Sequence, residues 1–245
     1  MNNIRSFVVE SADPSVTMGA QNADSRLQGR FARAALHELF VATPDDVAAA
    51  TGFALLLSLR AAQGRPLVWI RDDRSVREWG RVSAAGLVAL GADPDSITLV
   101  VARDTRGVLQ AGADSVNCAA IGSVVIEPWG RAPELGLTES RRLAFAAARS
   151  GVLMLALRVG TDPVPSAAAT RWRIAAAPST ALAANAPGQP AFDISLLRHR
   201  GGIAGFDARV EWDRDCRCFR DSPLSRGVSA VPAGATGDPR RRRAA

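Results

Sequence analysis

Residues 97–126, ITLVVARDTRGVLQAGADSVNCAAIGSVVI, decide the fold. A short apolar run (Ile97–Val101) is followed by an amphipathic stretch over 105–120 and then by a second apolar run, Ser123–Ile126. Runs apolar on both faces, too short for helices and separated by a helical pattern, are strands of a parallel sheet covered on both sides. Upstream, PLVWIR (66–71) is another such run, followed by a helical stretch around 75–90. Downstream, Leu137–Arg149 has helical spacing and Val152–Leu157 (VLMLAL) is a further strand. Right-handed crossovers make this alternation a doubly wound layer with helices on both faces.

The pattern changes after Arg158. VGTDPVPSAAAT (159–170) reads as a loop, and TRWRIAAA, FDISLLRHRGG and DARVEW alternate polar with apolar residues as half-buried antiparallel strands do. They extend one edge of the sheet as a meander. At the other end, RLQGRFARAALHELF (26–40) carries apolar residues at helical spacing. Thr43, Pro44, Asp45 and Asp46 then supply an N-cap, an N1 proline and first-turn acids for a helix over about 45–62, ending before Gly64. Residues 1–25 read as a flexible arm, 26–212 as one α/β domain and 213–245 as a largely disordered basic tail.

Composition narrows the chemistry. The 245 residues carry a formal charge of +6, and all of the basic side is arginine, because the sequence contains no lysine. A phosphate loop of the form G-x-x-x-x-G-K-[ST] needs glycines to expose backbone N–H groups and a lysine for the terminal phosphate. The corresponding stretch here, LHELFVATPDDVAAATGFALLL (36–57), has Gly52 alone, in mid-helix, and acids at the helix start. An anion is repelled there, and the helix dipole is already answered.

Asp72, Asp73 and Glu127 stand at strand ends where a phosphate-loop ATPase keeps its water-activating and magnesium-bearing carboxylates, and where carboxylates also cap the next helix. His37 and His199 read as surface or boundary residues, which leaves no nucleophile–His–acid triad. Cys118, Cys216 and Cys218 read as free thiols in a reducing, cytoplasmic compartment, with Cys216 and Cys218 too close together for a zinc knuckle. No apolar run is long enough to cross a membrane, and no cofactor is implied.

Taken in order, ALHELF (35–40), the stretch from Gly64 to Asp104 with LGADPDSITLV at its centre, SVVIEPWG (123–130), SAAATRWRIAAAPS (166–179), LLRHRGG (196–202) and VEWDRDCRCF (210–219) resemble the RecA-like inducible mutagenesis protein A family, alphaproteobacterial type. The resemblance spans roughly residues 30–220. It implies a RecA-type fold serving as an accessory factor in damage-induced (SOS) translesion synthesis. The implied partners are a Y-family polymerase-like mutagenesis protein and an error-prone replicative polymerase, with RecA and DNA as further candidates. Residues 41–52 depart from the phosphate loop of RecA itself, so the implied role is binding rather than ATP-driven assembly.

Candidate contact residues lie where a RecA-like domain has its two DNA-facing loops. They are Arg131, Arg141 and Arg142 in the first cluster, and Arg171 and Arg173 in the second. In a strand those last two share a face, leaving Trp172 for the core. Arg141 and Arg142, at a helix start, read equally as solvated charge. Arg198 and Arg200 form a basic turn that contacts phosphate or simply closes a hairpin, and Arg240, Arg241, Arg242 and Arg243 attract any polyanion. Two other readings share the fold: a regulator such as a cell-division inhibitor, or an enzyme using Asp73 and Glu127 without lysine.

Overall fold

A computed structural model describes residues 22–202 and 205–223. Nine strands form one sheet in the order β3-β2-β4-β5-β1-β6-β7-β8-β9. They are β1 (Ala35–Val41), β2 (Leu67–Asp72), β3 (Ile97–Ala102), β4 (Ser123–Glu127), β5 (Leu153–Arg158), β6 (Thr170–Ala176), β7 (Ala191–His199), β8 (Asp207–Asp213) and β9 (Cys218–Asp221). The helices are α1 (Asn22–Gln28), α2 (Val47–Ala62), α3 (Asp73–Trp79), α4 (Ala84–Ala89), α5 (Thr105–Val116) and α6 (Leu137–Ser150).

Strands β1 to β6 run parallel, as the apolar runs require, because β4 and β5 are buried along their whole lengths. Alternate residues feed two cores. Leu153, Leu155 and Leu157 meet Phe53 and Leu56 of α2, whereas Met154 and Ala156 meet Val108 of α5 and Leu143 of α6. Helices therefore cover both faces of a mostly parallel sheet, and β7, β8 and β9 add the antiparallel extension at one edge.

Several expectations are corrected. The helical reading of 26–40 holds only for its first residues: ALHELFV is β1, at the centre of the sheet, and its own burial on both faces hides the strand period. TRWRIAA (β6) pairs parallel with β1, so the meander begins at the β6–β7 pair. Residues 22–25 belong to α1, where Ala23 is buried and Asp24 pairs with Arg60. The sheet also continues beyond residue 212, since Phe219 on β9 is fully buried against Trp212 and Phe53.

Cys216 and Cys218 are joined by a disulfide in the β8–β9 hairpin, which leaves Cys118 as the free, exposed cysteine among the described residues. His37 is fully buried. Its Nε2 donates to the Ala32 carbonyl (2.9 Å) and its Nδ1 accepts from the Thr170 hydroxyl (2.7 Å), whose oxygen in turn accepts from Trp172 Nε1. Among the described residues no helix is long and apolar enough to cross a membrane. The remainder of the expected N-terminal arm and of the expected C-terminal tail, with Arg240 to Arg243, lies outside the described residues.

Candidate functional site

Ligands of open parallel sheets bind beyond the carboxyl ends of the strands, where successive connections leave on opposite faces. Here β1 is that strand: α2, which follows it, lies on one face, and the helices between β3 and β5 lie on the other. Five residues, Ala42–Asp46, join β1 to α2 through a single 3-10 turn. The Asp46 carboxylate accepts from Thr43 N (3.0 Å), the Thr43 hydroxyl (2.7 Å) and Ala176 N at the end of β6 (2.7 Å). Partial burial pushes its pKa up, but the bonds from Ala176 and Thr43 outweigh this and hold it below the usual carboxylate value. An internal carboxylate thus occupies the start of α2.

The other strand-end acids are also engaged. Glu127, fully buried, takes two bonds from the Arg71 guanidinium on neighbouring β2, at 2.8 and 3.1 Å. Arg71 also donates to the Gly80 carbonyl. Asp72 caps α3 through Arg74 N, pairs with the Arg74 side chain and accepts from Thr105. Asp73 pairs with Arg77 one helical turn on. Among the described residues no cluster of His, Cys, Asp and Glu is arranged to hold a metal ion.

Two cavities flank the β1–α2 junction and share Pro44 and Trp79. One, of about 590 Å³, lies between α2, β2 and α4 and is lined by residues including Val47, Leu55, Trp69 and Leu87. The other, of about 510 Å³, opens at the ends of β1, β4 and β5 and is lined by Thr43, Trp79, Trp129, Val159, Gly160 and Asp162 among others. Trp79 and Trp129 carry no catalytic signature in sequence. The aromatic in SVVIEPWG, directly after a buried strand, is the one signal that could have located this cavity.

The expected contact arginines divide. Arg131, Arg141, Arg142, Arg173, Arg198 and Arg200 are exposed, with Arg142 paired to Glu139. Arg171 is not a surface residue: it bonds Glu38 on β1 (2.9 Å), Ser166 and the Val164 carbonyl. The reason is topological. Because β5 and β6 are both parallel to β1, residues 159–169 must return across the sheet face, and this crossover buries the Arg171 end of β6 while Arg173 stays in water. Arg158 lies beneath the same crossover. It bonds the Arg131 carbonyl and faces Glu38 at 3.8 Å, and burial lowers its pKa despite that carboxylate.

Sequence reasoning missed this Glu38–Arg158–Arg171 cluster, which ties together the two connections that follow β4 and β5. The arginines also do not share one surface. Arg131 and the start of α6 lie at the carboxyl edge of the parallel strands, whereas Arg198 and Arg200, at the end of antiparallel β7, lie at the opposite edge.

No known protein family and no curated protein matches the sequence. Among solved structures the chain is similar to the RadB recombinase, with a TM-score of 0.55 and 17% identity, over 84% of this chain and 98% of that one. The fold is therefore RecA-like.

Proposed function

We propose that this chain is a non-catalytic, RecA-like accessory protein of damage-induced mutagenic DNA synthesis, acting in the cytoplasm without a cofactor. It holds a Y-family polymerase-like partner beside an error-prone replicative polymerase, and it touches RecA or DNA through exposed arginines. The observation that carries the non-catalytic part is the carboxylate of Asp46, bonded to three donors where a phosphate would have to sit. The Arg71–Glu127 pair adds to it, since a carboxylate neutralised by its neighbour is a poor magnesium ligand. The mutagenesis context is supported by the family-like segments of the sequence, and the contact role by the exposed arginines around the start of α6.

Co-purification with the polymerase-like protein encoded in the same genome tests the partner. Retention at low and moderate salt is expected, and loss at both contradicts the reading. If DNA is touched directly, log affinity falls with log salt by about 0.9 per phosphate neutralised. A flat response removes the DNA contact and leaves the protein contact standing.

A further inference from the structure

The cavity at the ends of β1, β4 and β5 has a lining that suits a cation. Two indoles, Trp79 and Trp129, form part of its wall, and Asp162 supplies a carboxylate that makes no ion pair among the described residues. Thr43 and Thr161 add hydroxyls, and no arginine or histidine lines it. An anion finds no countercharge there. A guanidinium finds aromatic faces, a carboxylate and hydroxyl acceptors together. The adjoining cavity, beyond the shared Pro44, carries the exposed Asp45 but also the exposed Arg81 and the Glu127-paired Arg71, so the cation-selective lining is that of the Trp79–Trp129 cavity alone.

We infer that this cavity is an arginine-binding site and that its occupant is the chain's own run Arg240–Arg243. The inference does not depend on which polymerase the protein holds. Charge complementarity selects the class of guest, and reach makes the run available. The described chain ends at Pro223, just after β9, whose carboxyl end lies at the opposite edge of the sheet from the cavity. Four strand spacings across and one strand length along give a separation of roughly 30 Å. The 17 residues from Pro223 to Arg240 span up to about 58 Å when extended. Tethering makes the encounter intramolecular, so a weak contact becomes well occupied. A polyanion such as DNA competes for the same arginines, so its binding would empty the cavity.

Fluorescence quenching reads the site directly. Of the five tryptophans, Trp69, Trp172 and Trp212 are at most 1% exposed, so acrylamide reports chiefly on Trp79 and Trp129. The full chain with Arg240→Gln, Arg241→Gln, Arg242→Gln and Arg243→Gln is expected to give a Stern–Volmer slope about two-fold steeper than the unaltered chain. Adding the peptide GDPRRRRAA (residues 237–245) to that variant should restore the shallow slope. Asp162→Asn should prevent the restoration. Equal slopes with and without the arginines overturn the proposal, as does a peptide that protects neither tryptophan. Protection by inorganic pyrophosphate equal to that of the peptide also overturns it, because it makes the site an anion site. A failed co-purification with the polymerase-like partner changes none of these readouts.

Discussion

At the Arg71–Glu127 pair, side-chain exposures of 6% and 0% leave water little part in the balance of charge. Removing one member strands the other, so Glu127→Gln should destabilise the fold by about 3 kcal/mol, read from urea unfolding. Arg71→Leu combined with Glu127→Leu should cost less than Glu127→Gln alone. A double variant worse than that single variant contradicts a structural role for the pair. His37 gives a pH signature. Burial drives its pKa from 6.5 down to about 4, against a smaller opposing effect of its bond to Ala32. Between those values the unfolded chain binds the proton and the folded chain does not, so stability falls as pH drops from about 6.5 to 4, by up to about 3 kcal/mol. Unfolding midpoints across that range check it. His37→Gln should remove most of the slope.

At the scale of elements, close approach and crossover geometry set what each segment tolerates. Gly122 enters β4 where α2 ends, and a Cβ there would stand 2.6 Å from Ala62 Cα. Backbone cannot rotate away as a side chain can, so Gly122→Ala is expected to destabilise by about 2 kcal/mol, measured by thermal or urea unfolding. An unchanged midpoint contradicts that contact. The crossover 159–169 depends instead on Glu38, which holds Ser166 and Arg171. Glu38→Gln should speed proteolysis within 160–165 before the core unfolds.

The sequence made β2, β4 and β5 legible because buried parallel strands are short apolar runs between helices; β3 reads the same way, although at the sheet edge its Leu99 and Val101 are exposed. It hid β1 because LHELF places a histidine and a glutamate among five consecutive buried residues, and apart from the His37 bond to Ala32 their partners, Thr170, Ser166 and Arg171, lie at least 128 positions away. For the candidate site, the acids at the start of α2 were legible from type and spacing. Burial of Arg171 was not, since period-two alternation gives the face of a strand but not which segment covers it.

For the whole molecule, the exposed candidate arginines among the described residues lie at separate edges of the sheet rather than in one patch. Contacts made near Arg131 and Arg141 should therefore be lost independently of contacts made near Arg198 and Arg200. If DNA binds both edges, the free-energy effects of Arg141→Glu and Arg198→Glu should add. Marked non-additivity would argue for one shared surface. In the proposed function, the phosphate position of this RecA-like sheet is filled from within the chain by the Asp46 carboxylate. Titration calorimetry of the full protein with magnesium and ATP at millimolar concentration, paired with a phosphate-release assay, tests that most directly. No heat of binding and no turnover above buffer are expected. Saturable binding or turnover that is lost in Asp73→Asn or Glu127→Gln, with the fold of the variant intact, would contradict it.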